Sequence, residues 1–212
     1  MKANKQVEKD HYAFHRYMSK ARWCSLWHQI DEIQKLQPTS ILEIGTGPGI
    51  FKMMLEYMDF HIETIDLDPD LKPTYVGSAT ELPFRDATYD VVCAFQMLEH
   101  LPYAESLRAF AEMARVSRKN VLISLPDARM TLQYKFYLSR LGNYDFLVPH
   151  PRYKAQNHQF DGEHYWEINK LGYDLRKITS DLSQYAKLIK TYQVFENPYH
   201  RFFIFEKDKL GI

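Results

Sequence analysis

Apolar residues at Leu26, Trp27, Ile30, Ile33 and Leu36 recur with the period of a helix that buries one face, and Pro38 with Thr39 and Ser40 closes that segment. Beyond it the pattern changes to short apolar runs, SILEI, HIETID, TYVGS, YDVVCAF and NVLISL, which predict strands. Helical patterns fall between them, around residues 50 to 58 and 97 to 117. In the second of these Leu107, Phe110, Met113 and Ala114 share a face, and Arg115, Arg118 and Lys119 gather near its end, where the helix dipole favours cations. Strand and helix alternating in this way predict a parallel sheet covered on both faces.

Between Pro126 and about Tyr185 the alternation breaks. The stretch from about 127 to 185 is rich in His, Tyr, Phe and Asn and is expected to form a helical and loop lid, with Ile168, Leu171, Leu175, Ile178 and Leu182 on one helical stripe. The pattern then resumes as a terminal hairpin, KLIKTYQVF and HRFFIFEK. A chain of 212 residues supplies one sizeable core, so a single domain is expected over 1 to 212, with an N-terminal helical segment over 8 to 37.

Charge narrows the choice of partners. The 27 basic and 27 acidic side chains cancel, so no overall field steers the chain toward nucleic acid or an anionic membrane, and neither is an expected partner. The first twenty residues are charged throughout, and no run approaches membrane-spanning length. Cys24 and Cys93 imply no disulfide framework, so a cytoplasmic setting is expected. Aromatic residues reach 15%, and Tyr12, Tyr17, Trp23, Trp27, Tyr134, Phe136, Tyr137, Tyr165 and Trp166 are candidates to wall a cavity, with core packing as the alternative.

The chemistry concentrates in ILEIGTGPGIF, residues 41 to 51, where a strand bearing Glu43 runs into Gly45, Gly47 and Gly49 and then a helix. Alternate glycines allow a tight turn and a close ligand approach, and the helix that follows directs its unpaired N–H groups toward an anionic group. About 20 residues beyond Gly45, Asp66 ends the second strand, placed to accept from ribose hydroxyls. A nicotinamide dinucleotide fingerprint needs glycine at position 50, where this chain has Ile50.

With Glu43 ahead of a G-x-G-x-G, the segment resembles motif I of class I S-adenosylmethionine-dependent methyltransferases. VGSATELPFRDATYDVVCAFQMLEHLP, residues 76 to 102, is similar to the third-strand and fourth-strand region of the methyltransferase type 11 group. The resemblance covers roughly residues 40 to 126. It implies a Rossmann-like seven-stranded α/β sheet in the order 3-2-1-4-5-7-6 with the last strand antiparallel, S-adenosylmethionine as cofactor and S-adenosylhomocysteine as product. It also implies that Glu43 and the backbone of Gly45, Thr46, Gly47 and Gly49 hold the methionine part, that Asp66 binds the ribose and that Leu67 packs on adenine. Ala79 and Thr80 would edge the adenine, and Phe95 and Gln96 would lie near the methionine amino group. Ser78 stands where many relatives carry an aspartate that accepts from the adenine amino group, a departure from the pattern.

For the methyl acceptor, a small molecule is expected. NHQFDGEHYWEI, residues 157 to 168, gathers His158, Asp161, Glu163, His164 and Glu167 around Gly162, and His164, Glu163 and His100 are the candidate bases. Glu99 and His100 follow the fourth strand, where EHL in this family is also often helix-start structure. His158, Asp161 and His164 match no metal-ligand spacing such as H-E-x-x-H, and no metal is expected. ENPY, residues 196 to 199, resembles the motif of base-amine methylating enzymes, but lies between two terminal strands and reads as a turn. The competing functions are a non-catalytic cofactor-binding or partner-binding protein and, less favoured, a NAD-dependent oxidoreductase.

Overall fold

Seven strands form one mixed sheet in the computed structural model, which describes residues 17–207. In chain order they are β1 (Ile41–Ile44), β2 (Ile62–Asp66), β3 (Tyr75–Val76), β4 (Tyr89–Phe95), β5 (Ser117–Pro126), β8 (Lys187–Gln193) and β9 (His200–Glu206). The sheet reads β3-β2-β1-β4-β5-β9-β8, which in order of the seven alone is 3-2-1-4-5-7-6. Strands β1 to β5 pair in parallel, and β9 runs antiparallel to both β5 and β8.

Because strand side chains alternate between faces, central strands covered on both sides need apolar residues on both, and β4 shows this from Val91 to Phe95. Val91 and Cys93 join Leu26 and Ile33 of α1 (Lys20–Leu36) and Phe51 and Leu55 of α2 (Ile50–Tyr57) on one face. Val92 and Ala94 join Phe110 and Met113 of α3 (Tyr103–Val116) and Ile178 and Leu182 of α4 (Leu175–Leu182) on the other. The start of α1 is fixed by Ser19, whose hydroxyl accepts from the Arg22 N–H at 3.2 Å. Its buried Glu32 accepts from Lys190 at 2.7 Å and Tyr192 at 3.0 Å, tying the helix to edge strand β8.

At the opposite end of the strands Asp90, almost wholly buried, gathers the base of the sheet. It accepts from the backbone and hydroxyl of Thr39, and from Arg118 and Lys119. Burial acts to raise its pKa, but these donors outweigh that and hold it at about 2. A carboxyl whose folded pKa lies below its ordinary 3.8 contributes stability that is present above that value and lost as pH falls toward about 2. In urea titrations across this range the wild-type midpoint should therefore fall more steeply with acid than that of Asp90→Asn.

The segment between β5 and β8 is more structured than a helical stripe implies. It opens with a separate antiparallel hairpin, β6 (Thr131–Leu138) and β7 (Gly142–Pro149), closed by Arg140 and Gly142 in the left-handed region. Leu132, Tyr134 and Phe136 alternate with Gln133 and Lys135, a period-two signal that the His- and Asn-rich composition obscured. The expected stripe from Ile168 is corrected to α4 alone. Ile168 instead forms a bridge with Asp127, and Leu171 is exposed, because Gly172 takes a positive φ and Asp174 caps the helix only from Leu175.

Candidate functional site

The carboxyl ends of β1, β2 and β4 meet where the order reverses, from β1 toward β2 on one side and β4 on the other, the place at which open α/β sheets carry their ligand crevice. At its floor Gly45 continues the pairing by donating to the Ile65 carbonyl at 3.0 Å. Its φ is +83°, and a Cβ there would stand 2.9 Å from Met97 Cγ, so a side chain is excluded both by conformation and by space. Gly49, at φ +73°, begins α2 and faces open space, leaving the helix N-terminus approachable.

Glu43 and Thr46 border this turn. Both are buried, and among the described residues Glu43 Oε2 and Thr46 Oγ1 have no hydrogen-bond partner. Burial, and then the neighbouring Asp66 charge, push the Glu43 carboxyl well above the usual carboxylate range. An incoming ammonium group would relieve both effects. Asp66 is oriented rather than merely present: one oxygen accepts from Thr46 N at 2.8 Å and the other from Asp68 N at 2.9 Å. The first bond links the tip of β2 to the glycine turn, the second is local, and together they fix the carboxylate at the crevice edge. Its pKa is raised by burial despite them.

Leu67 beside it is exposed and available to an apolar ring. Ser78 and Thr80 hydroxyls bond each other at 2.8 Å, and Ala79 is buried between them. Phe95 packs edge-on against Phe51 with centroids 5.2 Å apart. Gln96 follows with φ +51°, a strained position for a residue with a side chain, and is held by the backbone and hydroxyl of Ser124.

Next to this crevice lies a second constellation. Glu99 and His100 occupy a single 3-10 turn after β4, and the segment 157–168 docks on it through Tyr165 N, which donates to the Glu99 carbonyl at 2.9 Å. The rings of His100 and His164 meet edge-on at 5.1 Å. His100 Nδ1 lies 3.0 Å from the Glu163 carbonyl, and His164 Nδ1 lies 3.1 Å from Glu167 Oε1. Burial opposes a charge on His164, but the bond to Glu167 and the Glu99 charge prevail and raise its pKa. Glu99 is wholly buried, neither of its carboxylate oxygens has a partner among the described residues, and burial pushes its pKa up to about 8.

The structure thus brings His164, Glu163 and His100 together, and adds Glu99, Tyr199 and His200 to them. Tyr199 donates to Glu167, and buried His200 is pushed down to about 3 by burial and then by Arg22. The sequence does not point to these last two, because ENPY reads as a turn, which it is. The missed signal is topological: the start of an antiparallel final strand lies beside the carboxyl ends of the parallel ones. The expected aromatic wall assembles only in part: Tyr17 lies close enough to Glu43 and Glu99 to feel their charges, with the Arg22 guanidinium over its ring at 4.3 Å, while most of the others go elsewhere. Trp166 is core, Trp23 and Trp27 are exposed on α1, Tyr134 and Phe136 stack on the hairpin, and Tyr12 lies outside the described residues.

A seven-stranded sheet of this order, with its glycine turn and acidic strand tips, defines the class I methyltransferase architecture. Comparison agrees: residues 42–125 match the family model described as a methyltransferase domain. A protein of Mycobacterium sp. (strain JLS) described as an uncharacterized methyltransferase is 27% identical over 123 residues, 52% of this chain and 44% of the relative. The match thus takes in less than half of the curated relative's length. Among solved structures, PH0226 protein from Pyrococcus horikoshii OT3 superposes with a TM-score of 0.63 at 13% identity, covering 93% of this chain and 96% of the other. Magnesium protoporphyrin IX methyltransferase from Synechocystis PCC 6803 with bound SAM gives 0.58 at 11% identity, covering 89% and 80%. These two likenesses concern the fold.

Proposed function

We propose that this chain transfers a methyl group from S-adenosylmethionine to a small-molecule acceptor and releases S-adenosylhomocysteine. The observation that carries this reading is the pair of orphaned buried oxygens, on Glu43 and Thr46, beside a glycine turn with no room for a side chain at Gly45 and open space at Gly49. When bound, the cofactor supplies a sulfonium-activated methyl group. Glu43 holds the amino group of the methionine part, and the backbone from Gly45 to Gly49 lies close along its carboxylate end. Asp66 accepts from the ribose, Leu67 and Ala79 flank the adenine, and Thr80 with Ser78 edges it. Phe95 and Gln96 border the methionine side.

The acceptor lies beside His164, Glu163 and His100, where the docked 157–168 segment limits water, and exclusion of water and fixed orientation favour an in-line displacement. The region from about 127 to 185 acts as the lid. Zero net charge disfavours a polyanionic acceptor. The two unpaired cysteines, and the absence among the described residues of a helix long and apolar enough to cross a membrane, support a cytoplasmic setting.

Thermal unfolding separates this reading from its nearest rival. A saturating ligand at a hundred times its Kd stabilises by about 2.7 kcal/mol, or roughly 5 to 10 °C in Tm for a chain of this size. S-adenosylmethionine should give that shift and NAD none; the reverse would make the chain an oxidoreductase. Release of S-adenosylhomocysteine with members of a metabolite panel should then reveal the acceptor, whereas binding without turnover on every acceptor would favour a non-catalytic role. Asp66→Ala should weaken binding about 10- to 100-fold, the loss of one or two charge-assisted hydrogen bonds.

A further inference from the structure

We infer that Glu99, His100 and His164 form a binding site for one divalent transition-metal cation, at the acceptor side of the crevice. One ligand atom from each of the three lies within 4.8 Å of the other two, and Glu99 is wholly buried with both oxygens unpartnered among the described residues. Two buried oxygens so placed are costly to leave without a donor or a cation bound to them, and His164 and Arg22, whose charges act on Glu99, make no hydrogen bond to either oxygen. Tetrahedral ligands at 2.0–2.1 Å from a metal stand about 3.4 Å apart, so closure needs shifts of roughly 1 Å.

The histidines are arranged as metal ligands are. With Nδ1 of His100 donating to the Glu163 carbonyl, its Nε2 becomes the lone-pair donor. In the same way Nδ1 of His164 donates to the Glu167 carboxylate, which Tyr199 and Lys170 hold in turn. Each ring thus has an outer partner that fixes its orientation and tautomer. Two imidazoles and one carboxylate suit Mn²⁺, Fe²⁺, Co²⁺ or Zn²⁺ better than Mg²⁺ or Ca²⁺, which favour oxygen throughout.

A competing trio, Asp161, His164 and Glu167, is equally close. Its carboxylates are already engaged: one Asp161 oxygen accepts from Glu163 N and His164 N, and Glu167 accepts from Tyr199 and meets His164. They form the outer layer, facing a cavity of about 410 Å³ lined by Asn157, His158, Asp161 and Lys170 among others. Three protein ligands leave coordination positions open, and these suit an oxygen of the methyl acceptor. That last assignment, of the open positions, rests on the methyl-transfer reading; the cation site itself does not.

The test is titration of the chelator-treated 212-residue chain with MnCl₂, followed by electron paramagnetic resonance, and with CoCl₂, followed by visible absorption. One ion per chain is expected, with Glu99→Gln and His100→Ala weakening it more than about 100-fold, Glu167→Gln about 10- to 100-fold and Asp161→Asn less than 3-fold. Circular dichroism and S-adenosylhomocysteine binding on the same variants report folding and the cofactor site separately. If Glu99→Gln does not fold, His100→Ala decides. Absence of binding by the wild-type chain, or binding that these substitutions leave unchanged, overturns the site. Should S-adenosylhomocysteine bind and neither Mn²⁺ nor Co²⁺ bind, the cation site alone fails; should metal bind and the nucleoside not, the methyl-transfer reading alone fails.

Discussion

Asp127→Ala should destabilise the fold by about 3–5 kcal/mol, the range for breaking a buried ion pair and leaving its partner unmatched. Asp127 sits just past the end of β5 with its side chain fully enclosed. Arg201 Nε of β9 donates to one oxygen at 2.7 Å, and the other accepts from Asn169 Nδ2 at 2.6 Å and Arg129 N at 2.9 Å. Removing the carboxylate strands the Arg201 guanidinium, which is also largely buried. It also releases the 167–169 stretch that places Glu167 beneath His164. Urea unfolding followed by circular dichroism measures the loss. A cost under about 1 kcal/mol would mean that Arg201 finds water when the acid is gone.

Trp166→Ala belongs in the same range, about 3–5 kcal/mol, as a large aromatic removed from a close-packed interior. The indole is fully enclosed and meets Tyr103 edge-on at 5.1 Å. Its Nε1 donates to Ser106 Oγ at 2.9 Å and to the Leu101 carbonyl at 3.2 Å. Those contacts run from the 157–168 segment to the start of α3, so the substitution detaches the acceptor side from the sheet. Trp166→Phe keeps the ring contact and loses only the donor, and should cost about 1–3 kcal/mol. Equal costs for the two substitutions would show that packing contributes little there.

The sheet was legible in the sequence because buried parallel strands must be apolar on both faces. Runs such as YDVVCAF therefore announce themselves, and the glycine turn does so through the backbone it requires. The crevice followed from those two, since Glu43 and Asp66 sit at strand tips whose position the alternation already fixed. What stayed hidden was long-range. Glu99 looks like an ordinary helix-start acid until residue 165 closes over it. His100 and His164 are joined by no spacing rule, and Tyr199 reaches Glu167 only because the final strand runs antiparallel. The hairpin of β6 and β7 went unread for a local reason, its period-two pattern being short and surrounded by polar loop residues.

Isothermal titration calorimetry with S-adenosylhomocysteine tests the central claim most directly, since it probes the glycine turn, Glu43 and Asp66 together and needs no acceptor. One molecule should bind per chain, with Glu43→Gln and Asp66→Ala each weakening it at least about tenfold. No heat and no change in Tm with this nucleoside, from a chain that circular dichroism shows to be folded, would contradict the account.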